Sequence, residues 1–242
     1  MAVSHGFGKI VTDGLVLALD AADTNSYTSG STTWRDMSGN GNNGTLTNGP
    51  TFDSANGGSI VFDGVDDLVL HDNIQFLSSS SFTLSQWQEF DDSVTTSWQG
   101  FSGGQRYSGG SVDFSGYFMW HTPGRFWWYQ SFDNPTYYGV IGGVLSGGNI
   151  FDRMVGNGYF QVDVTYNGSS NTMKVYINSN LELTTTRTWR SGLDRMTFKQ
   201  IGRGHTNRNF TGKIPIQKLY NRALTDSEIL QNYNTLKPRF GL

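Results

Sequence analysis

The chain has 242 residues, of which 31 are Gly, 14% are aromatic and 15% are charged, with a formal net charge of −3 and no cysteine. This balance suits one large β domain of short strands and tight turns, and it excludes an extended helical protein, a disulfide framework and a thiolate metal site. Without a Lys/Arg cluster or a basic balance there is no field for a phosphate backbone, so nucleic acid is excluded as a partner.

In chain order, residues 1–12 read as an N-terminal arm with neither the basic nor the apolar part of a leader, and residues 13–242 as one domain. No run approaches membrane-spanning length, so neither membrane insertion nor secretory export is expected. The apolar run 14–20, bounded by turn residues, predicts a buried strand, and 20–33 a polar loop. The block WRDMSGNGNNGTL at 34–46 then sets Asp36, Ser38, Asn40 and Asn42 at alternate positions, with Gly41 sixth. That is the opening of a calcium loop, but Thr47 stands where the bidentate acid belongs. The same residues suit an Asx-type turn, and both readings stay open. Asp63, Asp66 and Asp67, between strands predicted over 59–63 and 68–70 or in the bend of a single strand, leave a second choice between a cation site and a solvated connection.

Residues 81–90 alternate Phe82, Leu84 and Gln86 against Thr83, Ser85 and Trp87, which predicts a strand with one face apolar at its start and the other mostly polar. Two glycine-rich stretches, 97–116 and 139–158, flank two strands dense in aromatics, 117–121 and 125–132. Pyranose rings expose an apolar C–H face, so a sugar site combines a stacking Trp or Tyr with amide, hydroxyl or guanidinium groups. Trp98, Tyr107, Trp120, His121, Arg125, Trp127 and Trp128 are the candidate carbohydrate-binding set on that ground. Alternation keeps Trp127 and Trp128 off a common face, so at least one belongs to the core. For the whole set, core packing or a subunit contact is the competing reading.

The clearest hairpin follows, with Phe160, Val162, Val164 and Tyr166 alternating before a turn at 167–171, and Met173, Val175 and Ile177 after it. Strands are predicted over 181–186, 196–201 and 213–220. The closing segment then carries Thr225-x-x-Glu228, the spacing of a capping box, with Ile229, Leu230, Tyr233 and Leu236 at helical spacing and Pro238 as the stop. Phe62, Val164, Val175 and Ile177 are the expected members of an inter-sheet core.

The passage YNRALTDSEI at 220–229, together with WRDMSGNGNNGTL at 34–46, SIVFDGVDDLVL at 59–70 and YFQVDVTYNGSSNTMKVYIN at 159–178, resembles laminin G-like domains of the concanavalin A-like lectin/glucanase superfamily, in versions carried by bacteriophage virion proteins. The likeness covers both ends of the chain and thins over 95–158. It implies an all-β, two-sheet antiparallel jelly-roll sandwich with a short C-terminal helix. It also implies a non-enzymatic lectin-like virion protein, assembled in the host cytoplasm and extracellular after release, that binds host-surface or environmental carbohydrate. The implied partners are a glycan or other virion proteins, with the chain a homo-oligomer or assembled on a particle. A structural capsid decoration or neck/collar protein, acting through protein contacts, is the alternative. Calcium is the one cofactor these loops admit.

The superfamily also contains glycoside hydrolases, the third reading. Laminarinase-type enzymes carry an E-x-D-x-x-E strand, whereas Glu occurs here only at 89, 182 and 228, and Glu89-Phe90-Asp91 lacks the third carboxylate. No Gly-x-Ser-x-Gly elbow occurs, and His5, His71, His121 and His205 lie in no metal-ligand spacing. The chain is therefore expected not to be an enzyme.

Overall fold

A computed structural model describes residues 9–94, 98–104, 115–121, 125–131, 138–186, 195–204 and 208–242, and only the main chain at 115–117, 119, 121, 127–131, 138–142 and 195. The strands in chain order are β1 (Leu15–Asp20), β2 (Thr33–Trp34), β3 (Gly44–Thr47), β4 (Thr51–Asp53), β5 (Ser59–Asp63), β6 (Leu68–Leu77), β7 (Phe82–Phe90) and β8 (Gln99–Gly103). They continue with β9 (Ser115–His121), β10 (Arg125–Ser131), β11 (Tyr138–Val144), β12 (Phe160–Asn167), β13 (Thr172–Ile177), β14 (Asn180–Thr186), β15 (Arg195–Ile201) and β16 (Thr211–Tyr220). Two helices, α1 (Ile150–Met154) and α2 (Asp226–Leu236), complete the description with 3-10 turns at Ala55–Gly57 and Lys237–Phe240. No described helix is long and apolar enough to cross a membrane.

The strands form two antiparallel sheets. The first runs β14-β13-β12-β7-β16-β5-β4, with β1 also on β16, and the second runs β11-β10-β9-β8-β15-β6-β3-β2. β16 serves two neighbours in succession, β5 over 211–214 and β1 over 216–220. Pro215, which has no N–H to give a ladder, stands at the handover. One apolar cluster draws on both sheets: Phe82, Leu84, Val162, Val164 and Leu219 from the first, and Val69, Phe76, Phe118, Phe126 and Phe198 from the second. The sandwich expected from the closing segment is thus the architecture. Phe62, Val164, Val175 and Ile177 all lie inside it, none more than 1% exposed.

The outer face of the first sheet is covered too. α2 starts where both halves of the capping box form, the Thr225 hydroxyl accepting from the Glu228 amide and the Glu228 carboxylate from the Thr225 amide at 2.9 Å. Arg222 grips the same carboxylate at 2.6 and 2.9 Å and, with the Thr225 donors, holds its pKa at about 2 despite partial burial. Ile229 and Leu236 are buried beneath the helix, while Leu230 faces solvent. Pro238 falls in the first turn of the 3-10 helix at 237–240, where its missing N–H costs nothing, and that turn brings the Phe240 ring to 4.3 Å from Trp87. Residues 9–13 lie along the same helix: Asn232 accepts from the Val11 amide at 2.8 Å and Gln231 donates to the Lys9 carbonyl at 2.7 Å.

One element of the glycine-rich stretch was not expected. Asn149 caps the short α1 by accepting from the Phe151 amide at 3.2 Å. From α1, Arg153 reaches Glu182 on β14 at 2.6 Å, which ties the edge strands of the two sheets together.

Candidate functional site

The candidate residues of the middle region part company in the fold. Trp120 is fully buried, its ring 5.3 Å from Phe101 and 5.4 Å from Phe126. It cannot offer a face to a sugar, and its expected stacking role is corrected to a core one: the inward side of β9 faces the other sheet. Trp98 is different. It stands just before β8, half-buried, with the Arg208 guanidinium 5.0 Å from its ring centroid, inside the reach of a cation–π contact.

Strand register gathers further members of the set around Trp98. Gln99 pairs with Trp120, His121 with Arg125, and Arg125 with Val144, so positions 98, 121, 125 and 144 stand at one end of the second sheet. Arg125 is exposed there. Trp127 and Trp128 pair with Met119 and Phe118 in the same ladder. Their side chains, that of His121, and Tyr107 altogether lie outside the described residues.

Arg203, Arg208 and Asn209 were not singled out from the sequence, because no local pattern ties them to Trp98. The tie is tertiary. Gly100 has no side chain, and a Cβ there would run into the Gly204 amide and the Arg208 carbonyl, so its absence lets residues 204 and 208 lie against β8. Residues 203–204 and 208–209 meet through the Gly204 amide to the Arg208 carbonyl at 2.8 Å and the Arg203–Asn209 bridge. Arg203 donates to Asn209 at 2.9 Å and to the Asp66 carbonyl at 2.8 Å, while Asn209 donates to the carbonyls of Gly64 and Val65. Arg203 is thus spent on holding the 63–67 turn. Arg208 makes no hydrogen bond or ion pair through its guanidinium among the described residues, and neither does Arg125.

Both Asp-rich turns spend carboxylate oxygens on their own backbone, Asp63 Oδ1 accepting from the Val65 amide at 2.7 Å and Asp67 Oδ2 from the Asp63 amide at 2.9 Å, but Asp36 is engaged further. Asp36 is filled: its Oδ1 accepts from the Ala18 and Ser38 amides at 2.9 and 2.8 Å, and its Oδ2 from the Ser38 hydroxyl and the Asn42 amide at 2.8 and 3.0 Å. The Asn40 amide and side chain both turn to the Ser38 hydroxyl. With donors aimed at those oxygens, Asp36, Ser38 and Asn40 fit an Asx-type turn and do not fit a calcium ligand set. Asp63, Asp66 and Asp67 bring carboxylate oxygens within 4.8 Å of one another. Burial first, then its two acidic neighbours, push the Asp67 carboxyl up from its ordinary value. These three hard oxygen donors are the described residues that would hold calcium.

Each glutamate carries a cationic partner. Glu89 lies 3.3 Å from Lys213, whose amine also holds Asp53 at 2.9 Å. The Ala55 amide first, then Lys213, keep Asp53 below the ordinary range. Burial alone would raise Glu182, but Arg153, the Gly147 amide and Ser146 outweigh it. Glu228 is the helix cap. By the far end of β7, a groove of about 450 Å³ separates the β12–β13 hairpin from the approach to α2, and Lys174 and Asp226 pair across it at 3.1 Å.

The family model described as the concanavalin A-like lectin/glucanases superfamily, in its laminin G form, matches residues 62–230, well over half of the chain. The chain belongs to this family. The laminin G-like chain is also similar to the binding domain of Paraclostridial Mosquitocidal Protein 1 at 18% identity and a TM-score of 0.66, over 93% of this chain and 52% of that one. It resembles the botulinum neurotoxin serotype D ligand binding domain in complex with N-acetylneuraminic acid at 14% identity and a TM-score of 0.64, over 92% and 51%. A third likeness is to the Trypanosoma rangeli sialidase, at 14% identity and a TM-score of 0.61, over 96% and 34%. The chain spans about half the length of the two binding domains and about a third of the sialidase. At these identities the likeness is one of fold. Among curated proteins none matches its sequence significantly.

Proposed function

We propose that the chain is a non-enzymatic, lectin-like module of a bacteriophage virion that binds host-surface or environmental polysaccharide reversibly at the Trp98 end of the second sheet. The observation that carries this reading is the half-buried Trp98 ring beside the Arg208 guanidinium, which forms no hydrogen bond or ion pair among the described residues, with Arg125 at the same end. An aromatic body with polar donors at its border is what a pyranose needs. Similar binding domains, one of them with a bound sugar, support the reading at the level of fold. The virion placement is supported by the likeness of the YNRALTDSEI segment. Lack of turnover is supported by the ion pairing of the three glutamates, since a retaining glycosidase needs one carboxyl kept protonated beside a second, free to attack.

A second reading, a decoration or collar protein, draws on Val144, which is 60% exposed at the same end of the sheet and would suit a protein contact. A glycan array probed with the isolated protein separates the two. The lectin reading expects retention by a subset of glycans and its loss in Trp98→Ala with the melting temperature held. Retention by no glycan, with gold-labelled antibody marking the particle at a site where Trp98 is inaccessible, would sink it in favour of the structural role.

A further inference from the structure

We infer that the saccharide taken at this end is an acidic one, with its carboxylate held by Arg208 on the platform of Trp98; this rests on the glycan-binding reading above. The guanidinium lies over the Trp98 ring at 5.0 Å. A neutral pyranose stacking on that face would have to displace Arg208 and forfeit the cation–π contact. An anion has no such cost. A guanidinium over a ring leaves N–H donors pointing away from it, and these match a carboxylate through two parallel charge-assisted bonds.

The surroundings favour the same ligand. Arg208 spends none of its side-chain donors on the protein among the described residues, and no described carboxylate forms an ion pair with it. The backbone around it is nevertheless built, closed by the 2.8 Å bond from the Gly204 amide to its carbonyl and seated against Gly100. The side chain is therefore positioned without being consumed, which is the condition for recognising an incoming group. Arg125, also without an ion-pair partner among the described residues, adds positive charge at the same end of the sheet. The acidic turn sits behind Arg203, and the charges felt by Asp67 are those of Asp63 and Asp66.

The test compares matched probes: oligogalacturonate against its methyl ester, sialyllactose against lactose, and dextran sulfate against dextran. Each is titrated calorimetrically into the parent protein, Arg208→Gln, Arg208→Lys and Trp98→Ala, after a screen on an array of neutral and acidic glycans. The expected result is a carboxylated sugar bound about tenfold or more tightly than its neutral partner. Arg208→Gln should erase that preference at an unchanged melting temperature, and Arg208→Lys should restore only part of it. Preference confined to dextran sulfate, equal affinity for neutral and acidic partners, or a preference that survives Arg208→Gln would overturn the inference while leaving glycan binding through Trp98 in place. If the array retains no glycan of either kind, the glycan-binding reading fails and the inference fails with it.

Discussion

Trp98, just before β8, stands one residue from the position that pairs with Trp120, yet one lies half-buried beside a guanidinium and the other at zero exposure among phenylalanines. Both precede a polar residue and follow a short one or an apolar one, and neither neighbourhood in the sequence announces the difference. Trp120 falls within β9 on the side that meets the first sheet, whereas Trp98 falls just outside β8, where Arg208 lies over its ring. An aromatic residue in a sandwich is therefore core or platform according to what the opposite layer puts over it. The chemistry of the ring is the same in both places.

The largest effect that would break this comparison is on stability. Trp120→Ala should cost about 3–5 kcal/mol in denaturant unfolding, as aromatic truncations in packed cores do. A loss under 1 kcal/mol would place the ring outside the core.

A second core probe uses pH. His71 is 4% exposed on β6, with Nδ1 at 2.8 Å from the Asp72 carbonyl, and burial lowers its pKa from 6.5 to about 4. The unfolded chain therefore takes up the proton first as pH falls. Stability is full above about 6.5 and declines toward pH 4, by roughly 3 kcal/mol in total. Asp163, fully buried and raised to about 6, works in the opposite sense, contributing stability at low pH that is lost as pH rises through 6. It is present in both proteins, so the difference between parent and His71→Asn isolates the histidine: their stability gap should shift by that amount between pH 6.5 and 4. A constant gap would mean that His71 is open to solvent.

The two acidic turns give the next smaller effect. Added calcium, tenfold above its Kd, should stabilise the parent by about 1.4 kcal/mol. The increment should persist in Asp36→Asn and vanish in Asp67→Asn when melting is followed with and without chelator. If Asp36→Asn alone removed the response, the assignment of the two turns would be reversed. The smallest stability change is expected at the rim, where Trp98→Ala should cost about 1 kcal/mol or less while abolishing glycan retention; a cost near that of Trp120→Ala would erase the contrast between the two tryptophans.

Local rules were enough wherever the partners are close in sequence. The capping box spans Thr225 to Glu228, and both of its hydrogen bonds form. The 167–171 turn closes through Asn167, whose side chain accepts from the Ser169 and Ser170 amides at 3.0 and 3.2 Å, and it joins strands in the register that alternation implies. The site was harder to read. Trp98 and Arg125 were legible as residue types, but the guanidinium that defines the platform comes from the chain after β15 and depends on the missing side chain of Gly100.

β7 marks the boundary between what the sequence determined and what only the tertiary structure decided. The alternation of Phe82 and Leu84 with Thr83 and Ser85 determined that a strand forms and which face meets the other sheet, because a side-chain period of two is a property of the strand itself. It could not show that Thr83, Ser85 and Trp87 are buried as well. Over Trp87 lie α2 and the 237–240 turn, with Tyr233 and Phe240 at 5.7 and 4.3 Å, and residues 9–13 run along the same helix, while Thr83 meets the Arg222 carbonyl and the Leu224 amide. Exposure is a property of the second layer. The second layer is brought in by chain segments remote along the sequence, so its effect on a given side chain has no local signature.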